Sequence, residues 1–380
     1  MKYDYIIAGA GCGGLSLLYR ILKNSTLQGK RILLIDKEQK TTNDRTWCFW
    51  EEAPGLFESI VHHEWKTLQF KTENFTNEFT LKDYSYKMIK GLDFYNLVLE
   101  YAKDFTNVEV KHEEILSFDV KDTTAEVITT KGNYSAEYIF NSTNLLHPSL
   151  SKKDTLLQHF MGWEIETKAP IFNPEVGRLM DFSVGQENGL TFMYVLPVSK
   201  HRALIEYTLF TPEVLEKQVY KAAIKEYISN EFTTAPYSII QDEYGVIPMS
   251  LQKFSTHNKN RIINIGTAGG YTKSSTGYTF QFVQKHTEKI VIQLEKNKSP
   301  LVRLTFKEKV FQWYDRTLLE VLLSKKVEGK RIFSIMFRKI APERILRFLG
   351  NESTLLDDVT IMKSLPTGKF LIAGIKQMFK

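Results

Sequence analysis

Residues 4–20, DYIIAGAGCGGLSLLYR, decide how the rest of the chain is read. Tyr5-Ile6-Ile7-Ala8 has the continuous apolar character of a buried strand, and Leu15 to Leu22 continue as a helix. Between them Gly9, Gly11 and Gly14 form G-x-G-x-x-G. A second apolar run, Arg31-Ile32-Leu33-Leu34-Ile35, ends in Asp36. In such a unit the first glycine permits the tight turn, the second lets the backbone approach a pyrophosphate, and the third lets helix and strand pack closely. The acid after the second strand is placed to accept ribose hydroxyls. Strand, glycines, helix, strand and acid in this order point to a bound dinucleotide held at Gly9, Gly11, Gly14 and Asp36, against the alternative of a glycine-rich turn with no ligand.

Regular strand and helix alternation does not follow. Instead Asn43-Asp44-Arg45-Thr46-Trp47-Cys48-Phe49-Trp50 intervenes, then strand-like segments at Trp65–Phe70 and Phe75–Leu81. A helix at Asp93–Phe105 leads to strand candidates Val108–His112, Ile115–Val120 and Ala125–Thr130. Tyr138–Asn141 then reads as a return to the parallel sheet through a meander. Residues 158–249 read as a long antiparallel region, with runs such as GLTFMYVLPVS and RALIEYTLF. Arg261–Gly266 gives one more buried strand, followed by a second glycine loop from Gly266 to Gly277 and a helix from Tyr278 to about Leu294. A late strand, loop and helix that revisit the nucleotide domain suit a ligand needing a clamp at both ends, so FAD is favoured over NAD as the tightly held group.

Composition sets the outer limits. The chain has 380 residues, 43% of them hydrophobic, enough for two or three structural units around a substantial core. Cys12 and Cys48 have no spacing that suggests zinc or a disulfide framework, and His62, His63 and His159 have no ligand spacing, so no metal site is expected. No G-x-S-x-G elbow supports nucleophilic catalysis. No basic leader, cleavage site or membrane-spanning run is visible, and the expected location is cytoplasmic. The net charge of +6 is uneven. Residues 301–350 carry twelve Lys/Arg against five Asp/Glu, at least the excess of the whole chain. Nucleic acid is not the expected partner, because no recognised binding motif accompanies the charge.

Several motifs, in order, resemble one family: NDRTWCFW, LQHFMGWEIE, LMDFSV followed by FMYVLP, ALIEYTLF, GVIPM, IGTAGGYTKSSTGYTF and APERILRFLG. Together they are similar to the lycopene cyclases, which make the beta-ionone rings of carotenoids, and the likeness runs over nearly the whole chain. The resemblance implies an α/β fold: an FAD-binding Rossmann-like domain of the hydroxybenzoate-hydroxylase type, an inserted β-sheet substrate domain and a helical C-terminal region. The divisions expected are 1–60, 93–150 and 258–296 for the FAD domain, 61–92 and 151–257 for the substrate domain, and 297–380 for the helical region. It also implies cyclisation of the ends of lycopene towards beta-carotene via gamma-carotene, with reduced FAD as the active form, NAD(P)H as reductant and no net redox change. Two positions depart from the family. Tyr207 stands where a second acid commonly follows Glu206, and Ser274 replaces a proline of the second glycine loop.

Closing a ring on a polyene end requires a proton on the terminal alkene, a tertiary cation, attack by an internal double bond and loss of a proton, with no electron gained or lost. Such a site needs a carboxyl kept protonated by apolar surroundings and negative charge or aromatic faces near the cation. Glu206, among Leu204, Ile205 and Tyr207, is expensive in an apolar strand unless protonated, paired or functional, or else it faces solvent. The resemblance favours the catalytic reading, with Asp181 as a second acid or a hydrogen-bond anchor, against the alternative of a turn cap. Arg45 is a candidate flavin contact, or a surface ion pair. Trp47, Phe49 and Trp50 suit either a polyene tunnel, with Trp47 and Trp50 against substrate, or plain core. Helical apolar spacing at Phe311, Leu318, Leu319, Leu322 and Leu323, then at Ile332, Phe333, Ile335, Met336 and Phe337, interrupted by Lys and Arg, suits peripheral docking on an anionic membrane or packing on the flavin domain. The competing functions are a true redox flavoenzyme of the same fold, a monooxygenase or polyprenyl reductase, and a flavin-bound membrane adaptor without turnover.

Overall fold

The computed structural model describes residues 2–121, 123–325 and 327–379. Its first sheet grows from the glycine-rich opening. Strand Lys2–Ala8 lies between Ile32–Asp36 and Asn133–Asn141, parallel to both. Val108–His112 extends the sheet on one side and Ile262–Asn264 on the other, again in parallel. Ile6, Ile7, Leu33 and Leu34 have no exposed surface, because layers cover both faces of these strands, which is why they read as unbroken apolar runs. Helices Cys12–Lys23, Gly91–Ala102 and Phe280–Glu295 share one core with them. The return at 138–141 and the late strand near 262 are as expected. Val108–His112 differs: it is a parallel edge strand, not part of the meander, because helix Gly91–Ala102 carries the chain over the sheet before it. The antiparallel meander is Ile115–Val120, Ala125–Thr129 and the first half of Asn133–Asn141.

The second sheet has seven strands, in the order Tyr237–Ser250, Thr155–Thr167, Arg202–Thr211, Leu190–Pro197, Val176–Asp181, Thr67–Thr72 and Phe75–Thr80. All neighbours are antiparallel except Val176–Asp181 with Thr67–Thr72. Its strands alternate faces, and Met161, Trp163, Ile165, Ile205, Tyr207 and Leu209 pack on Tyr220, Ile224, Tyr227 and Ile228 of helix Lys217–Glu231. That helix lies inside the stretch read as strands alone, although its apolar residues recur every three or four positions.

A third sheet of Thr46–Glu51, Ser85–Lys90 and Val61–Trp65 links the two larger ones. Phe49 and Ile89 join the core of the parallel sheet, while Trp50, Tyr86 and Met88 join a core shared with Leu179, Leu196 and Leu204 of the seven-stranded sheet. Strand Thr46–Glu51 therefore pairs across the division expected at residue 60.

Five helices close the chain: Phe306–Leu323, Gly329–Lys339, Pro342–Leu349, Leu355–Ser364 and Thr367–Met378. Most of the apolar stripe is internal. Leu319, Leu322, Ile332, Phe333, Met336 and Phe337 pack on Phe70, Phe182, Phe192 and Phe210 of the seven-stranded sheet, with Phe70 and Phe337 stacked at 4.4 Å. Apart from Phe306, the large apolar side chains left uncovered on these helices lie further on, among them Leu355, Leu356, Leu371, Ile372, Ile375 and Met378, with Phe379 beyond the last. Among the described residues no helix is long and apolar enough to cross a membrane.

Candidate active site

A cavity of about 1450 Å³ runs from the first glycine corner, past the second glycine loop and one face of the seven-stranded sheet, to the C-terminal helices. Ordinary ligand pockets hold roughly 300–1,000 Å³, so there is room here for more than one small molecule. Gly11, Cys12 and Gly13, at the start of helix Cys12–Lys23, line one end. No side chain caps that helix, so its first N–H groups and the positive end of its dipole are left for an anion. A Cβ added at Gly11 meets nothing within 4 Å, whereas one at Gly14 falls 1.9 Å from the Gly9 carbonyl oxygen. The second glycine thus faces open cavity and the third seals helix against strand. Gly9 makes the turn with φ +101°. It and Gly14 lie behind the lining.

The second glycine loop supplies Gly266 and Gly277 to the same wall. Gly277 has φ +75°, and a Cβ there would lie 1.9 Å from Gln158 Oε1. Around this loop Gln158 Oε1, Tyr271 Oη, Thr276 Oγ1 and His286 Nδ1 are buried on the lining with no hydrogen-bond partner in the protein. Buried polar groups are ordinarily satisfied, so four such atoms on one wall fit a polar ligand between the two glycine loops. Replacement of the family's proline by Ser274 does not leave the loop loose. The buried Lys273 ammonium contacts Asp315 Oδ1 and Asn351 Oδ1, each at 2.7 Å, and Ser275 donates to the same Asp315 oxygen.

Among the carboxyls on the cavity wall, Glu206 and Glu243 stand out. Glu206 lies deep in the molecule, and the surface it retains opens to the cavity; its Oε1 accepts from Thr208 Oγ1 at 2.6 Å. Burial, with the field of Glu243 second, pushes its carboxyl up to about 8. Glu243, buried and accepting from Thr46 Oγ1 at 2.6 Å, is also raised by burial, to about 7, against the hydrogen bonds from Thr46 and the charge of Arg45. Glu243 was not among the expected residues. The NDRT stretch fixes it: Asn43 exchanges hydrogen bonds with Gln241 and receives one from the Leu92 N–H, and Asp44 receives one from Tyr95. Tyr86, Tyr194 and Tyr278, linked through their hydroxyls, and Cys48 complete the wall near the acids.

The other expected residues divide. Arg45 and Trp47 line the cavity, and Trp47 stands edge-on to Phe94 at 5.1 Å. Trp50 does not: beyond the part of its strand that meets the cavity, it is core, edge-on to Tyr278 at 4.7 Å and in one cluster with Leu346. Asp36 ends its strand as expected, but its oxygens accept from the Ala10 and Glu38 N–H groups at 2.6 and 3.0 Å, and it lies beside the lining. Asp181 is a correction. It lies off the cavity, fully buried, receiving Tyr227 Oη at 2.6 Å, Arg178 Nη1 at 2.9 Å and both Ser183 donors. Burial works to raise its carboxyl, yet these hydrogen bonds and the Arg178 charge outweigh it and hold Asp181 below the usual range. An acid so firmly ionised is an anchor, not a proton donor. Tyr207 faces helix Lys217–Glu231, so an acid at 207 would not have entered this cavity. His159 is a core histidine between Thr211 and Tyr220, and among the described residues no group of side chains is arranged to hold a metal.

A parallel sheet with a glycine-cornered helix, facing an antiparallel sheet across a large cavity, is the fold of the FAD-dependent hydroxylases and their relatives. Solved structures share it at low identity: Klebsiella pneumoniae HpxO complexed with FAD (14% identical, 96% of this chain and 99% of that one, TM-score 0.63) and a Cytophaga hutchinsonii flavoprotein/dehydrogenase (13%, all of both chains, 0.62). A geranylgeranyl bacteriochlorophyll reductase-like protein of Thermoplasma acidophilum is similar too (13%, 100% and 96%, 0.57). Within that fold the chain belongs to the lycopene cyclase family, whose sequence profile, described as lycopene cyclase protein, matches residues 4–373. Two relatives are lycopene beta-cyclases. That of Pantoea ananas is 25% identical over 260 residues, 66% of this chain, and that of a Paracoccus species 30% identical over 130 residues, 33% of this chain. These matches span 63% and 33% of the relatives' own lengths.

Proposed function

We propose that this protein is a lycopene beta-cyclase, closing the linear ends of lycopene to beta-ionone rings by acid and base chemistry with reduced FAD bound. The observation that carries the reading is Glu206, a carboxyl kept protonated near neutral pH by burial, on the wall of a cavity large enough for a cofactor and a polyene end. Gly11, Cys12 and Gly13 would hold the pyrophosphate at the helix N-terminus, and Arg45, Gly266, Gly277 and the orphaned polar atoms would surround the rest of the group. When bound, the reduced flavin supplies negative charge beside a developing carbocation. Glu206 donates its proton to the terminal alkene. The ring faces of Tyr86, Tyr194 and Tyr278 steady the tertiary cation, and the bound polyene displaces from the cavity the water that would quench it.

The reading includes a membrane surface as the source of a water-insoluble C40 hydrocarbon. Leu355, Leu356, Leu371, Ile372 and Ile375 present an uncovered apolar face, with Lys363 and Lys369 on the same two helices to meet anionic headgroups. Met378, exposed at the end of this face, also lines the cavity, so a hydrocarbon has a short path between them. Peripheral attachment on the cytoplasmic side follows from the same reading, as does NAD(P)H as reductant.

The test supplies lycopene in anionic vesicles, under anaerobic conditions, and counts rings formed against NAD(P)H oxidised. Many mass-neutral rings per reduction are expected. One nicotinamide oxidised per product would replace this reading with a redox flavoenzyme, and unchanged lycopene with flavin bound would leave a membrane adaptor.

A further inference from the structure

Gly162 sits in the central strand of the wall, opposite Glu206 on one neighbouring strand and opposite Glu243 on the other. Directly opposed residues of antiparallel strands project from the same face, so both acids point the same way, with the glycine between them. Strands lie ~4.8 Å apart, which puts the two glutamate backbones ~10 Å from each other across two spacings. Any other residue at 162 would fill that gap. A Cβ there would lie 3.1 Å from Leu204 Cδ1 and 3.4 Å from Glu206 Cβ. The gap leaves the two carboxyls room to lean towards each other. Each accepts a threonine hydrogen bond, Glu206 from Thr208 and Glu243 from Thr46, and both line the same cavity.

We propose that Glu206 and Glu243 form a proton-sharing pair across Gly162, in which Glu206 delivers the proton that starts ring closure and Glu243 receives the proton that ends it. The inference rests on the cyclase reading. The chemistry requires two nearby proton positions: the carbon that gains a proton and the ring carbon that later loses one are both bonded to the same initial cationic carbon. In the first step the Glu206 O–H bond breaks, a C–H bond forms and the cation appears. The internal double bond then closes the ring, and the positive charge passes to the far carbon of that bond, next to the ring carbon that will lose its proton. In the last step the ring C–H bond breaks, its electron pair becomes the new double bond, and the proton goes to Glu243. Transfer from Glu243 back to Glu206 restores the starting state, with no atom or electron gained. Between the first and last steps both carboxylates are ionised beside the cation, where their charge is most stabilising. At rest the charge of Glu243 helps Glu206 keep its proton, the usual behaviour of two carboxyls that share a site.

Infrared difference spectroscopy of the FAD-loaded protein, without substrate, follows the carbonyl band of the protonated carboxyl against pH. Glu206→Gln identifies the band by removing it. Glu243→Gln keeps an oxygen for Thr46 to donate to, and should move the midpoint of the Glu206 band to more acidic pH by ~1 unit or more. The alkaline limb of ring formation should move the same way, with a loss of ~10²-fold at neutral pH. Gly162→Ala, which closes the gap without touching either carboxyl group, should move the midpoint in the same direction by less. An unmoved midpoint in Glu243→Gln that still folds and holds FAD overturns the pair, as does near-normal ring formation. If the wild-type protein forms no rings from lycopene, the cyclase reading has failed, and the spectroscopic midpoints still decide whether the two acids are linked.

Discussion

A carboxyl kept protonated by burial must weaken the fold where the unfolded chain would ionise it, and Glu206→Gln exposes that effect. Burial holds Glu206 up to about 8 in the folded protein, against an ordinary value of 4.5. A folded value above the unfolded one means the contribution to stability is complete below about pH 4.5 and is lost as pH rises through about 8. Each pH unit between the two is worth ~1.4 kcal/mol, which sets a ceiling of ~5 kcal/mol. Because the carboxyl opens onto a cavity where water relaxes its charge, the expected gain for Glu206→Gln at about pH 9 is ~2–5 kcal/mol. Near pH 4.5 the variant should match the wild type, since both side chains are then neutral. Ring formation should fall ~10²–10⁴-fold in the same variant, as for loss of a positioned general acid. The assay is urea denaturation at both pH values with FAD saturating, beside ring formation from lycopene. Equal stability of the two proteins at about pH 9 would mean that Glu206 is already ionised or well hydrated in the fold, and the argument for it as proton donor would collapse.

Gly11→Val should leave the fold intact and abolish flavin binding, because a Cβ there meets no protein atom within 4 Å and the side chain starts into the cavity; FAD retained at full stoichiometry would disprove the placement. Gly14→Ala should instead destabilise the chain before any ligand is added, since its Cβ runs into the Gly9 carbonyl, and an unchanged denaturation midpoint would contradict that packing. Asp181→Asn should cost roughly 1.5–3 kcal/mol at neutral pH through its lost charge-assisted hydrogen bonds, with ring formation per folded molecule kept. Its contribution is present above the ordinary carboxyl value and lost as acid protonates it, so variant and wild type should converge at low pH; a selective loss of activity at full stability would restore Asp181 to the catalytic group. Leu371→Glu with Ile372→Glu should lower co-sedimentation with anionic vesicles while detergent-supplied lycopene is still cyclised, and undiminished vesicle binding would remove these helices from the membrane reading.

The local order of residues 4–36 determined the glycine corner by itself, because close packing at Gly14 and a positive φ at Gly9 are demands that only glycine meets cheaply, and Gly11 leaves the cavity beside them open. Glu206 was legible for a similar reason: an acid in an apolar strand has few inexpensive fates. Its partner was not. Asp242 and Glu243 are adjacent in the chain, and only the pairing of residues 237–250 with Thr155–Thr167 decides that Asp242 is exposed and Glu243 stands opposite Gly162. A slip of one residue would reverse them. Asp181 carries no mark in its own neighbourhood of the Tyr227 hydroxyl and the Lys71 ammonium that reach it from a distant helix and strand. Trp47 and Trp50 look equivalent as letters, yet the cavity meets their strand only as far as Cys48, so the first lines it and the second joins the core. The C-terminal helices showed their apolar periodicity plainly, but periodicity reports a face and not its cover. The seven-stranded sheet takes the stripe around Phe333 and Phe337, and leaves the face around Leu371 and Ile372 open, because burial is settled by what the folded chain brings alongside.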